Sequence, residues 1–144
     1  MPTLFVNGEP EAVEAKHGAL VSLLQPKGVP YPCRDERCGG CLVLLNGIAT
    51  KSCSVPVSAL VDGDKVETSV AFEHEAHARE AVERFRTDRS TRCARCIPPL
   101  VVLAELKRRA SARSSAHQSM DDAVRLVQCA CTGRSSLERA LGPE

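Results

Sequence analysis

Eight cysteines in 144 residues, falling into two sets of four, constrain this chain more than any other feature. The first set is Cys33, Cys38, Cys41 and Cys53, spaced C-x4-C-x2-C-x11-C. Its first three members lie too close together to be spread over a regular element, so their side chains must converge from an irregular loop. Gly39 and Gly40 let that loop curl tightly and aim N–H groups at an anionic centre. The second set is Cys93, Cys96, Cys129 and Cys131, spaced C-x2-C-x32-C-x-C. No cysteine is left over.

Thiolates at C-x4-C-x2-C with a fourth Cys further on are the ligand pattern of a plant-type [2Fe–2S] cluster. The competing reading is structural zinc. Each set offers four thiolates, but C-x-C is awkward for one tetrahedral ion and the all-cysteine loop is not a zinc-finger spacing. Rieske ligation needs two His beside two Cys; His17, His74, His77 and His117 show no C-x-H spacing. His74 and His77, three apart at the start of a helix, read as a solvated face. Tyr31 reads as packing beside the loop.

Composition sets the surroundings. Hydrophobic residues make up 43% but aromatics only 3%, with no Trp, so the core is built from Val, Leu and Ala. Small units of that kind are marginal without a staple, which bound metal supplies. The net charge of +1 argues against electrostatic capture of nucleic acid. Residues 1–74 carry 6 basic and 9 acidic side chains, against 13 and 9 in residues 75–144, which suggests two modules with different neighbours. Met1 to Gly8 lacks the basic and apolar regions of a signal peptide, and no apolar run reaches the length of a membrane span. Without an export signal, eight cysteines read as metal ligands rather than disulfides, and the expected compartment is cytoplasmic, export with a signal-bearing partner staying open.

The chain order predicts an α+β protein of two modules, residues 1–73 and 74–144. In the first, Leu4–Val6 and Ala12–Ala15 read as strands around Asn7-Gly8, with Glu9-Pro10 lengthening the turn. Ala19–Leu24 reads as a helix stopped by Gln25-Pro26-Lys27-Gly28. Leu42–Leu45, a second hairpin turn at Asn46-Gly47, Ile48–Cys53 and Lys65–Val70 complete a sheet wrapped on one helix. In the second module, Glu75–Thr87 carries an apolar stripe of Ala78, Ala81, Val82 and Phe85. Pro98 and Pro99 open a helix reaching Arg109, Ser119 and Asp122 start one running to Gln128, and Ser136–Leu141 is the last. Four helices with a cysteine pair in each of two loops imply a bundle holding a second site.

On these residues the first half resembles the plant-type ferredoxin fold, a β-grasp, through Pro30-Tyr31-Pro32-Cys33-Arg34 and Cys38-Gly39-Gly40-Cys41. The x11 interval to Cys53 departs from free ferredoxins. It is similar instead to the iron–sulfur subunits of succinate dehydrogenases and to the small subunits of molybdenum hydroxylases. The second half decides between them, because it lacks the C-x2-C-x2-C runs of a bacterial ferredoxin domain. Cys93 with Cys96, then Cys129-Ala130-Cys131-Thr132-Gly133, resembles the all-α four-helix [2Fe–2S]-binding domain of the molybdenum hydroxylases, the xanthine dehydrogenase, aldehyde oxidase and carbon monoxide dehydrogenase type.

That resemblance implies two [2Fe–2S] clusters in this chain, a molybdopterin cofactor in a large partner subunit and FAD in a medium one. It makes Cys93, Cys96, Cys129 and Cys131 the ligands of the molybdenum-proximal cluster, with Cys131 nearest the pterin. Cys33, Cys38, Cys41 and Cys53 hold the flavin-facing one. The chain is then the electron-transfer subunit of an oxidoreductase, with no catalytic residue or substrate pocket of its own. Arg34, Arg37, Arg92 and Arg95 beside the sites raise both potentials if they point inward; the alternative is that they are solvated, or pair with Asp35, Glu36 and partner subunits. Several positions depart from the family pattern. Arg92 stands where Gln is usual, Cys93-Ala94-Arg95-Cys96-Ile97-Pro98-Pro99 replaces C-G-F-C-T-P-G, and Arg134 follows Thr132-Gly133. A standalone two-cluster carrier and a redox sensor are the competing classes; a carrier needs one exposed cluster only, and no DNA-binding helix supports a sensor.

Overall fold

The computed structural model describes residues 2–31, 38–87, 96–112, 120–128 and 134–142. Five short strands form one sheet: β1 (Thr3–Val6), β2 (Glu9–Ala12), β3 (Leu42–Leu45), β4 (Ile48–Lys51) and β5 (Lys65–Glu67). Their order is β2-β1-β5-β3-β4. The last strand in sequence is therefore central, parallel to β1 and antiparallel to β3.

Both hairpins turn on Asn-Gly with positive φ at each position, 52° and 88° at Asn7 and Gly8, 51° and 83° at Asn46 and Gly47. This is the type I′ geometry that Asn-Gly favours. The first turn is two residues long, since Val6 pairs with Glu9, and β2 starts three residues before the expected strand at Ala12. Pro10 does not lengthen the turn because β2 is the edge of the sheet, where a missing N–H costs no ladder bond.

Each turn asparagine also grips β5. Asn7 Nδ2 donates to Thr68 Oγ1 at 2.9 Å, and Thr68 N donates back to Asn7 Oδ1 at 2.9 Å. Asn46 Oδ1 accepts from Lys65 N at 2.9 Å while its Nδ2 donates to Asp64. The expected strand to Val70 ends at Glu67 for this reason: Thr68 N is taken by a side chain, and the backbone turns into a 3₁₀ segment at Ser69–Ala71. Replacing Asn7 by Gly keeps the positive φ but deletes both bonds. It should cost about 1–2 kcal/mol in a urea unfolding series, and a smaller loss would assign Asn7 to the turn alone.

Helix α1 (Leu20–Leu24) buries Leu20, Val21, Leu23 and Leu24 against Leu4, Val6, Val43 and Val66 on one face of the sheet. Gly28, at φ 95°, ends the 3₁₀ extension of this helix. The other face takes the helices of the second half: α2 (Ala76–Thr87), α3 (Ile97–Ala112), α4 (Met120–Arg125) and α5 (Arg134–Leu141). Leu42 and Leu44 belong to the helical core and Val43, between them, to the first. Alternation along β3 thus explains its unbroken apolar run, because a strand covered on both faces has no solvent side. The helical core also takes in Ala49 and Phe72 from the first half.

Helix α3 is the axis of the second half. Every residue from Leu100 to Leu106 is buried, which removes the polar stripe a surface helix would show. Its neighbour α5 is held at the C-terminal end, where Arg84 Nε donates to Ala140 O at 2.7 Å and Lys107 Nζ to Leu141 O at 3.1 Å. Cations at that end satisfy carbonyls the helix leaves over and match its dipole.

Candidate metal centres

The x11 interval of the first cysteine set is the length of the β3–β4 hairpin. Two four-residue strands and a two-residue turn separate Cys41 from Ser52, which follows Lys51, the partner of Leu42. Cys41 O accepts from Ser52 N at 3.4 Å and from Ser52 Oγ at 2.8 Å, and Ser52 is fully buried. Cys53 comes next, in the 3₁₀ segment Ser52–Ser54. Register and turn together bring Cys41 and Cys53 to one end of the sheet, both buried in the core that contains α1.

Cys38 sits half-buried before them, and Gly40 N donates to its Sγ at 3.3 Å. An N–H aimed at sulfur is the contact that stabilises a thiolate and lifts the potential of a cluster it ligates. Gly39 has φ 74°, and a Cβ there would lie 2.1 Å from Leu126 O. Of the expected first-site ligands, Cys33 lies outside the described residues, as do Arg34 and Arg37.

Cys96 immediately precedes α3 and is buried. Pro98 and Pro99 occupy the first turn of this helix, where N–H groups have no intrahelical partner. The positive end of the α3 dipole favours a thiolate at Cys96. Cys93, Cys129, Cys131, Arg92 and Arg95 lie outside the described residues, as does His117. Among the described residues no group of three or more His, Cys, Asp or Glu side chains is placed to hold a single metal ion.

A contact that the spacing does not announce joins the loop of Cys38 to the segment ending at Gln128. Gln128 N donates to Cys38 O at 2.8 Å, and Gln128 is the residue before Cys129. Gly39 allows this approach, since its missing side chain lets Leu126 and Val127 close against the loop. The available sequence signal is the pair Gly39-Gly40, of which the first proves to serve chain-to-chain contact. The all-thiolate donors, the N–H aimed at Cys38 and the buried, apolar settings of Cys41, Cys53 and Cys96 fit iron–sulfur ligation.

A second feature is signalled in the sequence only by the i,i+3 and i,i+4 spacing of Glu105 with Arg108 and Arg109. Glu105, in the middle of the apolar run of α3, is only 3% exposed and accepts hydrogen bonds from Arg108 and Arg109. Burial works to raise its carboxyl, but the hydrogen bonds from Arg108 and Arg109 and their charges outweigh it and hold the group below its ordinary value. His77, expected on a solvated face, instead places its Nε2 2.7 Å from Glu105 Oε2, with the ring three-quarters covered. His74, 88% exposed, does face water. Tyr31 packs partly buried on the first core, as expected.

No family model matches the chain. It is 25% identical over 108 residues to one subunit of the nicotinate dehydrogenase of Pseudomonas putida, a match that covers 72% of this chain and 68% of the relative. Its fold superposes on the aldehyde oxidoreductase of Desulfovibrio gigas with a TM-score of 0.75 at 23% identity, over 97% of this chain and 16% of that one. The aldehyde oxidoreductase of Desulfovibrio desulfuricans gives 0.74, also at 23% identity and with the same coverage. Quinoline 2-oxidoreductase of Pseudomonas putida gives 0.69 at 20% identity, covering 97% of this chain and 88% of the other. The chain thus has the fold of the quinoline 2-oxidoreductase chain and of a part of the aldehyde oxidoreductases, with a sequence likeness to a nicotinate dehydrogenase subunit. It corresponds to nearly the whole of the matched quinoline 2-oxidoreductase chain, but to only about one sixth of each aldehyde oxidoreductase chain. The architecture is the α+β one the sequence implied, with the sheet first and most of the helices after it.

Proposed function

We propose that this chain is the electron wire of a molybdopterin-dependent hydroxylase or dehydrogenase. Cys93, Cys96, Cys129 and Cys131 hold the cluster that receives electrons from a large molybdopterin-binding subunit. Cys33, Cys38, Cys41 and Cys53 hold the one that passes them to FAD in a medium subunit or to another acceptor. Each cluster, when bound, supplies one-electron chemistry at a potential set by burial, charge and hydrogen bonds to sulfur.

The observation that carries this reading is the hydrogen bond from Gln128 N to Cys38 O. It joins a first-set cysteine to the residue before a second-set one. A contact between the first cysteine loop and the segment that leads into Cys129 supports a relay between neighbouring sites over two unrelated zinc staples. Gly40 N and the buried Ser52, fixed on Cys41 O, hold the first set from the protein side. The chain's own part is orientation and exclusion of water, since Cys41, Cys53 and Cys96 are all within the two cores.

Metal and sulfide analysis of the purified chain tests the proposal. It should return about four iron and four labile sulfide per chain, two of each per cluster. Zinc in place of iron would leave only the fold similarity standing.

A further inference from the structure

We infer that Ser52 is a positioning residue for the first cysteine site, its hydroxyl holding the turn that brings Cys53 to the side of the sheet where Cys41 lies. The inference rests on the two-cluster reading and deepens it at one site, through Cys41 and Cys53 alone.

Strand parity sets the problem. Leu42 pairs with Lys51, so Cys41 and Ser52 would form the next pair, with their side chains on one face. Side chains alternate along a strand, so β4 continued by two residues would send Cys53 to the opposite face, toward Leu42 and the helical core. Cys53 is found instead in the core of α1, with Cys41 and Val43. Strand β4 stops at Lys51, and the 3₁₀ segment Ser52–Ser54 rotates Cys53 back to the side of Cys41. From there the chain runs on to the start of α1, where Leu20 N donates to Val55 O at 2.8 Å and Val57 N to Gly18 O at 2.9 Å.

Ser52 stands where the ladder gives way. Its N–H reaches Cys41 O only at 3.4 Å, longer than an ordinary ladder bond, because the backbone is already leaving the strand. Its Oγ takes over, donating to the same oxygen at 2.8 Å. Ser52 is fully buried, so bulk water cannot replace the hydroxyl. Without it, Cys41 O keeps one long bond among the described residues, and nothing short ties the residue beside Cys53 to Cys41. Ser54 Oγ donates to Lys51 O at 2.8 Å in the same turn, an exposed bond that leaves Cys41 out. The two serines therefore separate support of the turn from the tie between ligands.

The test uses the full chain with its clusters, reduced with dithionite. It reads the EPR g values of each cluster signal, with iron counted on every sample, and C38S marks the signal that belongs to the first set. S52A removes the hydroxyl, S52T keeps it, and S52V has the bulk of Thr without it; S54A is the control for the turn. In S52A and S52V the first-set signal should shift or disappear while the other stays as in wild type. S52T and S54A should keep both signals. A wild-type first-set signal in S52A at full iron overturns the role of Ser52 and leaves the two-cluster reading intact. So do S52T and S52V spectra that match each other, or an S54A spectrum altered like that of S52A. A single signal from the wild-type chain overturns the two-cluster reading, and the role of Ser52 with it.

Discussion

Replacing Gly39 by Ala should destabilise the chain by about 2–5 kcal/mol, the sum of a left-handed residue and an overpacked contact. Two separate costs meet at this position. The backbone has φ 74°, and the added Cβ would sit 2.1 Å from Leu126 O and 2.9 Å from Val127 Cα. The obstacle is backbone, which has no rotamer by which to yield, so the loop must lift. Lifting it breaks the bond from Gln128 N to Cys38 O and shifts Cys38 relative to Cys41 and Cys53. Gly8→Ala supplies the control, because Gly8 has φ 88° but nothing within 4 Å of its would-be Cβ. It should cost only about 1–2 kcal/mol, the conformational part alone. Denaturant midpoints of the two variants, with iron retained per chain, check this. Equal losses would mean that Gly39 is kept for its φ and that the loop contact is incidental.

The second large effect is expected at Glu105. Glu105→Leu leaves Arg108, Arg109 and His77 facing an apolar side chain in the wall of α3. The buried partner is the one removed, Arg108 is half-exposed and Arg109 keeps Glu67, so the cost is about 1.5–3 kcal/mol, that of lost hydrogen bonds to a charged group. The same carboxylate sets an acid limit. Its folded pKa lies below the ordinary 4.5, so the native state binds fewer protons than the unfolded chain in that range. Its contribution is complete above the ordinary value and is lost as pH falls through the folded one. Glu105→Gln should therefore unfold with a shallower dependence on pH below 4.5, a window set by the direction of the Glu105 shift. Parallel pH–stability curves for wild type and this variant would move the acid sensitivity to other carboxylates.

Much of the architecture is legible in the sequence because it follows from local chemistry. Asn46-Gly47 between Leu42–Leu45 and Ile48–Lys51 can form a two-residue turn at no steric cost to Gly, and it does. Pro98-Pro99 before an apolar run marks a helix start, and α3 begins at Ile97. The x11 interval, which distinguishes families by spacing, has a physical meaning as a hairpin length. What a sequence does not disclose is long-range. Pro10 suggests a longer turn because sequence does not say which strand is at the edge. Arg108 and Arg109 stand at the i,i+3 and i,i+4 positions from Glu105, but nothing local hints that His77 joins them. The bond between Cys38 and Gln128 joins residues ninety positions apart, which no local pattern encodes. Four of the eight cysteines, Cys38, Cys41, Cys53 and Cys96, have a described setting, and each fits a ligand role. For Cys33, Cys93, Cys129 and Cys131 the assignment rests on spacing and resemblance.

We propose that one small chain holds two distinct iron–sulfur clusters for a relay. EPR of the dithionite-reduced chain addresses it most directly. Two rhombic signals of equal integrated intensity, in a sample with about four iron per chain, are the predicted result. A single signal, or a silent sample containing zinc, would contradict it.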